Sequence, residues 1–434
     1  MTQKKPRNPD HVRRRNVPGP DNEVIEAQLT ELLTPAIYRQ LDYYRQLGLR
    51  SRILTLPLMV AAVLTLMWRQ VPSVHELSRL LAREKLLLEC QAVKVTQQSL
   101  SERFLVFPAE LFERVLKDLL PQLVERWQQR QQRPVPVAIN VARHQFDRIW
   151  AVDGSTLEAL FRKLKALREV SPGQLAGKIC TVLDLSSRLP VAVWFTDRAR
   201  AYDTNFIPQI LALVPAKTLL ILDRGFYDFK FFASLVEQGA AFITRLKDNT
   251  KIKVVTVLTS TDTVKDLIVI LGTGQKGTPQ ITVRLVEIRF GPVWYRYITS
   301  VLDPTVLPPF VVADLYRRRW RLEEAFNTVK RLLNLAYLWT GSLNGIQLQI
   351  WATWLFYAIL VDLGDAVADD IGLPFDRISL EMLYRGLYHF TTACHKGLAT
   401  DPVTYFTAPE NQDLAVVKRL RKPPPLLDLS PYPV

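Results

Sequence analysis

Cysteine is scarce. Cys90, Cys180 and Cys394 are the three in 434 residues, and no two are spaced as a C-x-x-C pair or a metal knuckle. That excludes a disulfide scaffold and suits a reducing compartment. The five histidines, His11, His75, His144, His389 and His395, lie scattered without ligand spacing, so no zinc site is expected. No glycine-rich phosphate loop precedes a helix, which argues against a nucleotide cofactor. Positions 1–21 hold no apolar stretch of the kind a signal peptide needs and read as a flexible basic arm. Membrane-length apolar runs are missing too. Ile53–Trp68 is uncharged for 16 residues but carries Pro57, and it falls short of the roughly 20 residues that cross a bilayer. Leu332–Val361 also lacks charge, yet Asn334, Gly341, Asn344, Gly345, Gln347 and Gln349 interrupt its first half. A loop and then a buried helix from about Gly345 are expected, and no membrane partner.

What the chain does have is positive charge: 56 Lys+Arg against 42 Asp+Glu leave a net +14, which suits a polyanionic partner. With 48% apolar residues, a chain of this length can bury a substantial core and divide into several domains. Residues 22–140 show helical spacing, as in Val74, Leu77, Leu80 and Leu81, opened by Ser73 as an N-cap with Glu76 three residues on. A second helical segment is expected to begin near Ser99 or Ser101 and to continue through Leu120. Two such helices fit either a groove-reading pair or ordinary amphipathic packing; for this basic half as a whole, contact with a DNA backbone is expected. The polar run Glu125–Arg133, followed by Pro134 and Pro136, reads as a connector.

Across 141–249 the pattern changes to strands and short helices. Arg148–Asp153 is a strand ending in an acid, and Lys178–Leu185 with Pro190–Phe195 make a hairpin. Asn205–Val214 is a helix, Thr218–Asp223 a buried strand, Phe229–Gln238 a helix and Ala240–Leu246 a strand. Three strands, helix, strand, helix, strand is the order of an RNase H-like core. Residues 250–310 are β-rich and glycine-punctuated, an insertion of four or five strands. The core then resumes over 311–400 with a long helix at about Val311–Leu333, and 401–434 form a C-terminal tail that is Pro-rich from Pro423. The fold class expected is α/β: an RNase H-like core interrupted by a β-rich insertion, preceded by an α-helical DNA-binding region.

The late helix carries the sharpest chemical signal. With Tyr316 as origin and about 100° per residue, Arg319, Glu323 and Lys330 fall at about 300°, 340° and 320°, on one narrow strip. Leu315, Leu322, Phe326, Val329 and Leu333 form an apolar strip beside it. A helix that buries one side thus presents a hydroxyl, a guanidinium, a carboxylate and an ammonium along its edge. One acid among cations suits a site that binds a metal ion and phosphate together. Asp153 and Asp223 stand at the ends of their strands, where α/β sheets place their sites, and a carboxylate following apolar strand residues is costly to bury unless paired or metal-bound. Asp184, Asp197 and Asp203 read as hairpin or cap residues rather than supporting acids.

Tyr316, Arg319, Glu323 and Lys330 match a Y-x2-R-x3-E-x6-K signature, and Trp150–Ser155 (WAVDGS) and Leu222–Tyr227 (LDRGFY) look like two Asp motifs in the right order. In these residues, in the β-rich insertion and in Phe242–Asn249 (FITRLKDN), the chain resembles bacterial DDE insertion-sequence transposases of the IS-four type over about residues 50–400. The resemblance implies a DNA transposase that cuts at insertion-sequence ends and joins the 3′ ends to target DNA. It implies Asp153, Asp223 and Glu323 as the catalytic, metal-binding acids for two Mg²⁺ ions, with Mn²⁺ as substitute. It also implies Tyr316, Arg319 and Lys330 as DNA-phosphate contacts and Trp294, from the insertion, as an aromatic that holds a flipped base. The partners implied are terminal inverted repeats, target DNA and a second copy in a homodimer, in the bacterial cytoplasm at the nucleoid. Two rivals are an inactive or domesticated DNA-binding regulator and an RNase H-like nuclease without strand transfer.

Overall fold

A computed structural model describes residues 23–49, 51–69, 71, 73–84, 88, 90–157, 177–198, 201–273, 277–332 and 343–418. The basic arm of 1–21, Leu333 and the Pro-rich end of the tail, 419–434, lie outside the described residues. The first part of the chain is helical: α1 (Glu23–Tyr38), α2 (Leu41–Gln46), α3 (Leu56–Trp68), α4 (Val74–Arg83), α5 (Gln97–Val106), α6 (Glu110–Gln129) and α7 (Val137–Arg143). Ser73 caps α4 as expected, its Oγ accepting the Glu76 N–H at 3.2 Å. The next segment divides where the sequence reading ran it on. It starts at Gln97, with Thr96 Oγ accepting the Ser99 N–H at 3.1 Å, and stops before Pro108. Proline supplies no backbone N–H and disfavours helical dihedrals in the residue before it. The connector is also shorter than expected, because α6 continues through Glu125 to Gln129.

Among the described residues nine strands follow: β1 (Arg148–Thr156), β2 (Lys178–Asp184), β3 (Pro190–Thr196), β4 (Thr218–Leu222), β5 (Ala241–Arg245), β6 (Ile252–Ser260), β7 (Val264–Leu271), β8 (Ile281–Phe290) and β9 (Val293–Thr299). Helices α8 (Ile207–Leu213) and α9 (Phe229–Glu237) flank β4. The strands form one sheet in the order β3-β2-β1-β4-β5-β9-β8-β7-β6. β1 is antiparallel to β2 and parallel to β4, and β4 is parallel to β5. The four strands of the insertion are no separate module: β9 pairs antiparallel with β5, so the extension continues the core sheet.

After the sheet come α10 (Pro309–Arg318), α11 (Trp320–Asn327), a π turn (Thr328–Leu332), α12 (Leu343–Asp370), α13 (Leu380–His395) and α14 (Pro402–Thr407). The single long helix expected at 311–333 is therefore interrupted at Arg319. There the turn tightens, the Arg319 N–H donating to Tyr316 O and the Leu322 N–H to Arg319 O, each three residues back.

Strand alternation gives each sheet face its own core. Ile149, Ala151, Leu219 and Ile221 face the helical layer that includes Leu315, Leu322 and Trp354. Trp150, Val152, Leu220 and Leu222 face α8 and α9 with Phe206, Phe226 and Phe232. At the centre of the helical layer α12 packs on α3, α5, α6, α13 and α14. Among the described residues it is the one helix long and apolar enough to cross a membrane, and 78% of its apolar window is buried inside the protein. It begins at Leu343, near the expected start, while most of the preceding loop (333–342) lies outside the described residues.

Two buried charge clusters tie these layers together. Arg130 and Arg133, in the connector, pair with Asp362, Asp365 and Asp369 of α12. Arg284 of β8 grips Asp266 of β7 through Nε and Nη2, at 2.7 and 2.6 Å, and donates Nη1 to Leu307 O at 2.6 Å, fixing the extension to the chain that enters α10.

Candidate active site

Asp153 and Asp223 arrive side by side because their strands are neighbours. β1 and β4 run parallel with Val152 opposite Leu222 as their last registered pair, and each acid is the next residue. Both carboxylates take a backbone N–H from a nearby glycine: Asp153 Oδ1 from Gly154 of β1 at 2.8 Å, Asp223 Oδ2 from Gly225 of the following turn at 3.1 Å. Alternation directs them to the face on which α10 and α11 lie.

From that side Arg319, at the break between α10 and α11, reaches all three expected acids. Its Nη1 lies 2.5 Å from Asp153 Oδ2, and its Nη2 lies 2.9 Å from Glu323 Oε1 and 3.6 Å from Asp223 Oδ1. Acids separated by up to 170 positions thus gather around one guanidinium. Asp153 is the deepest, its side chain 13% exposed, while Asp223 and Glu323 remain 32% and 31% exposed, so the site opens on their side. Tyr316 flanks the guanidinium, ring centroid 5.8 Å from Cζ. Lys330, from the π turn, donates to Ser155 Oγ and, at 2.9 Å, to Thr156 O, which anchors the end of the helix to the end of β1.

The electrostatics follow from this burial. Desolvation pushes the Asp153 carboxyl up to about 7; Arg319 opposes the rise, and the negative charges of Asp223 and Asp203 add to it. Burial works against a charged Arg319, yet Asp153, Asp223, Tyr316 and Glu323 outweigh it and hold the guanidinium above its ordinary range. Burial lowers Lys330 below the usual lysine range, with Asp153 pulling the other way, and raises the Tyr316 hydroxyl.

Three carboxylates directed at one positive charge are a hard-oxygen donor set of the kind that takes Mg²⁺ or Mn²⁺. Among the described residues, however, no three His, Cys, Asp or Glu side chains stand as a ready cage for an ion. The acids ring Arg319 instead, and they fit a divalent ion in donor chemistry provided the guanidinium turns aside.

Trp294 is not brought to this group. It pairs with Arg289 near the far end of β9, under the ammonium of Lys265 at 4.9 Å. Alternation places it with Arg296 and Ile298, on the face away from Tyr297. The aromatics on the acids' face are Tyr297, whose ring lies 5.3 Å from that of Tyr316, and Tyr295, beneath Arg245 at 5.5 Å. Sequence reading missed Tyr295 and Tyr297, although period-two reading of Val293–Thr299 separates them from Trp294. Asp184 is the hairpin residue expected, accepting from Ser186 N, Ser187 N and Ser187 Oγ at 2.9, 2.7 and 3.0 Å.

Residues 144–359 match a protein family described as a transposase DDE domain. A Geobacillus stearothermophilus protein named as a transposase for insertion sequence element IS5377 is 27% identical over 169 residues, 38% of this chain and 45% of that protein. A Sinorhizobium fredii protein named as a transposase is 26% identical over 196 residues, 44% of this chain and 54% of its own length. A Synechocystis protein named as a transposase for insertion sequence element IS4SA is 22% identical over 191 residues, 42% of this chain and 52% of its own. The chain spans about half the length of the curated relatives it matches.

Proposed function

We propose that this chain, which belongs to the DDE insertion-sequence transposases, cleaves DNA at the ends of an insertion sequence and joins the freed 3′ ends to target DNA. The observation that carries this reading is the meeting of Asp153, Asp223 and Glu323 on the single guanidinium of Arg319. The strand order β3-β2-β1-β4-β5, with each acid directly after the last residue paired between β1 and β4, supports an RNase H-like core.

Asp153, Asp223 and Glu323 would hold the divalent ions, two Mg²⁺ or in their place Mn²⁺, which when bound activate the attacking oxygen and stabilise the leaving one. Arg319 offers a planar fork to the phosphate flanking the scissile bond. Turning toward that phosphate also frees the acids it now bridges. Lys330 contributes a point charge beside Asp153, and Tyr316 a hydroxyl and a ring against the guanidinium. Tyr295, on the acids' face of the extension, would stack on a base drawn out near the cleaved phosphate. Trp294 would contact DNA only where it passes around the other face.

The helices of 23–129 would bind the terminal inverted repeats; the exposed Gln97, Gln98 and Glu102 of α5 are side chains able to read base edges. A homodimer on paired ends, acting at the nucleoid in the bacterial cytoplasm, completes the proposal. No membrane and no nucleotide cofactor enter it.

The test is cleavage of DNA carrying the repeats that bracket the gene. The protein should cut only with Mg²⁺ or Mn²⁺, and Glu323→Gln should abolish cutting while end binding persists. Undiminished cutting by Glu323→Gln would overturn the assignment. End binding by the parent without any cutting would instead favour a DNA-binding regulator.

A further inference from the structure

Parallel pairing of β1 with β4 ends at Val152 and Leu222, so no ladder hydrogen bond sets the distance between the acids that follow. Something else must hold the turn after β4 against β1. Behind the acids, on the face away from Arg319, the residues Gly154 and Gly225 crowd one carboxylate. A β-carbon at 154 would come 2.0 Å from Asp203 Oδ1, and one at 225 would come 2.2 Å from Asp203 Oδ2. Neither glycine has a positive φ, so what each position requires is room. Both are glycine because the two oxygens of Asp203 lie against their backbones.

Asp203 is itself held. Lys178 Nζ lies 2.6 Å from Asp203 Oδ1 and donates to Ala201 O at 3.0 Å. Lys178 belongs to β2, opposite Thr156 of β1, and its side chain is 11% exposed. Asp203 opens a short 3-10 turn whose last residue, Phe206, is buried with Val152, Cys180, Leu222 and Phe226 beneath this face. The carboxylate is thereby referenced to β1 and β2 through Lys178 and to the β4 turn through Gly225. Its charge is felt at Asp153 and at Cys180, whose proton affinities it raises.

We propose that Asp203, fixed by Lys178 and wedged between Gly154 and Gly225, is a positioning residue that sets the separation of Asp153 and Asp223. The proposal rests on the reading of those two as ion-holding acids. Ions shared between carboxylates tolerate little change in ligand geometry, and supporting contacts of this kind are commonly worth about ten- to a hundred-fold in metal affinity.

The experiment measures Mn²⁺ affinity by titration calorimetry on the full chain, beside its melting temperature without metal. Asp203→Asn keeps the shape but leaves Lys178 without its counter-charge. It should weaken Mn²⁺ binding about ten- to a hundred-fold at a temperature where the variant is still fully folded, although the unpaired Lys178 lowers its melting point. Unchanged affinity, or a loss of affinity matched by a loss of fold, overturns the proposal. Should Asp203→Asn fail to fold, Gly225→Ala and Gly225→Ala/Asp203→Ser carry the test. Removing the collision should make the double variant melt higher than the single one while Mn²⁺ still binds weakly. A double variant that melts no higher, or that binds Mn²⁺ as the parent does, removes Asp203 from the role. Asp223→Asn serves as the control. If it binds Mn²⁺ as the parent does, the underlying reading of the acids fails and takes the positioning role with it.

Discussion

Replacing Arg319 by Gln removes the one cation shared by three acids while leaving a polar side chain of similar reach. In the parent, burial already lifts Asp153 to about 7 against the pull of Arg319, so losing the guanidinium lifts it further. An acid whose folded pKa lies above its unfolded value costs stability as pH rises, because the unfolded chain gives up the proton first. For the parent that cost accumulates from 3.8 to about 7 and then levels off; for the variant it continues to the higher pKa. The two stability curves should therefore separate above neutrality by about 1.4 kcal/mol per pH unit. They should tend toward the about 3–5 kcal/mol that breaking a buried ion pair costs. Both side chains are 13% exposed, so solvent screening removes little of this. Urea unfolding in the presence of a chelator, at about pH 6 and about pH 8.5, measures the separation. Parallel curves across that range would refute the claim that Arg319 is what keeps Asp153 ionisable in the fold.

Two further outcomes follow from the extension. Arg284→Met strands the buried Asp266 carboxylate and frees Leu307 O, and should cost about 3–5 kcal/mol in urea unfolding; adding Asp266→Leu should recover most of it, and a double variant as unstable as the single would count against the pair's assigned role. Tyr295→Ala should weaken binding of insertion-sequence ends by about 1–3 kcal/mol, the range for loss of one stacked base, with Trp294→Ala closer to the parent in a filter-binding titration. The reverse order would move the stacking role to the other face of the sheet.

Much of this protein is written in local periodicity. Alternating and continuous apolar runs located all nine strands of the described residues, and Asp153 and Asp223 were recognisable because a carboxylate following an apolar run is chemically conspicuous, although β1 runs on past Asp153 to Thr156. The 3.6-residue spacing of Tyr316, Arg319, Glu323 and Lys330 put them on one side of a helix, and they remain on one side although the helix tightens at Arg319. That break left no sequence signal, since neither proline nor glycine marks it. What the sequence withheld is non-local. That the insertion continues the core sheet depends on β9 pairing with β5, a contact between segments some fifty residues apart for which no local pattern codes. The joining of the connector to α12 rests on Arg130 and Arg133 meeting acids more than 200 positions away. Asp203 looks like a turn residue in one dimension; in three it stands between Gly154 of β1 and Gly225 of the turn after β4. Composition and spacing determined which side chains could do phosphoryl chemistry, because those choices are local. Only tertiary structure decided that one arginine holds three acids and which aromatics share their face, because distance between remote segments is settled by packing.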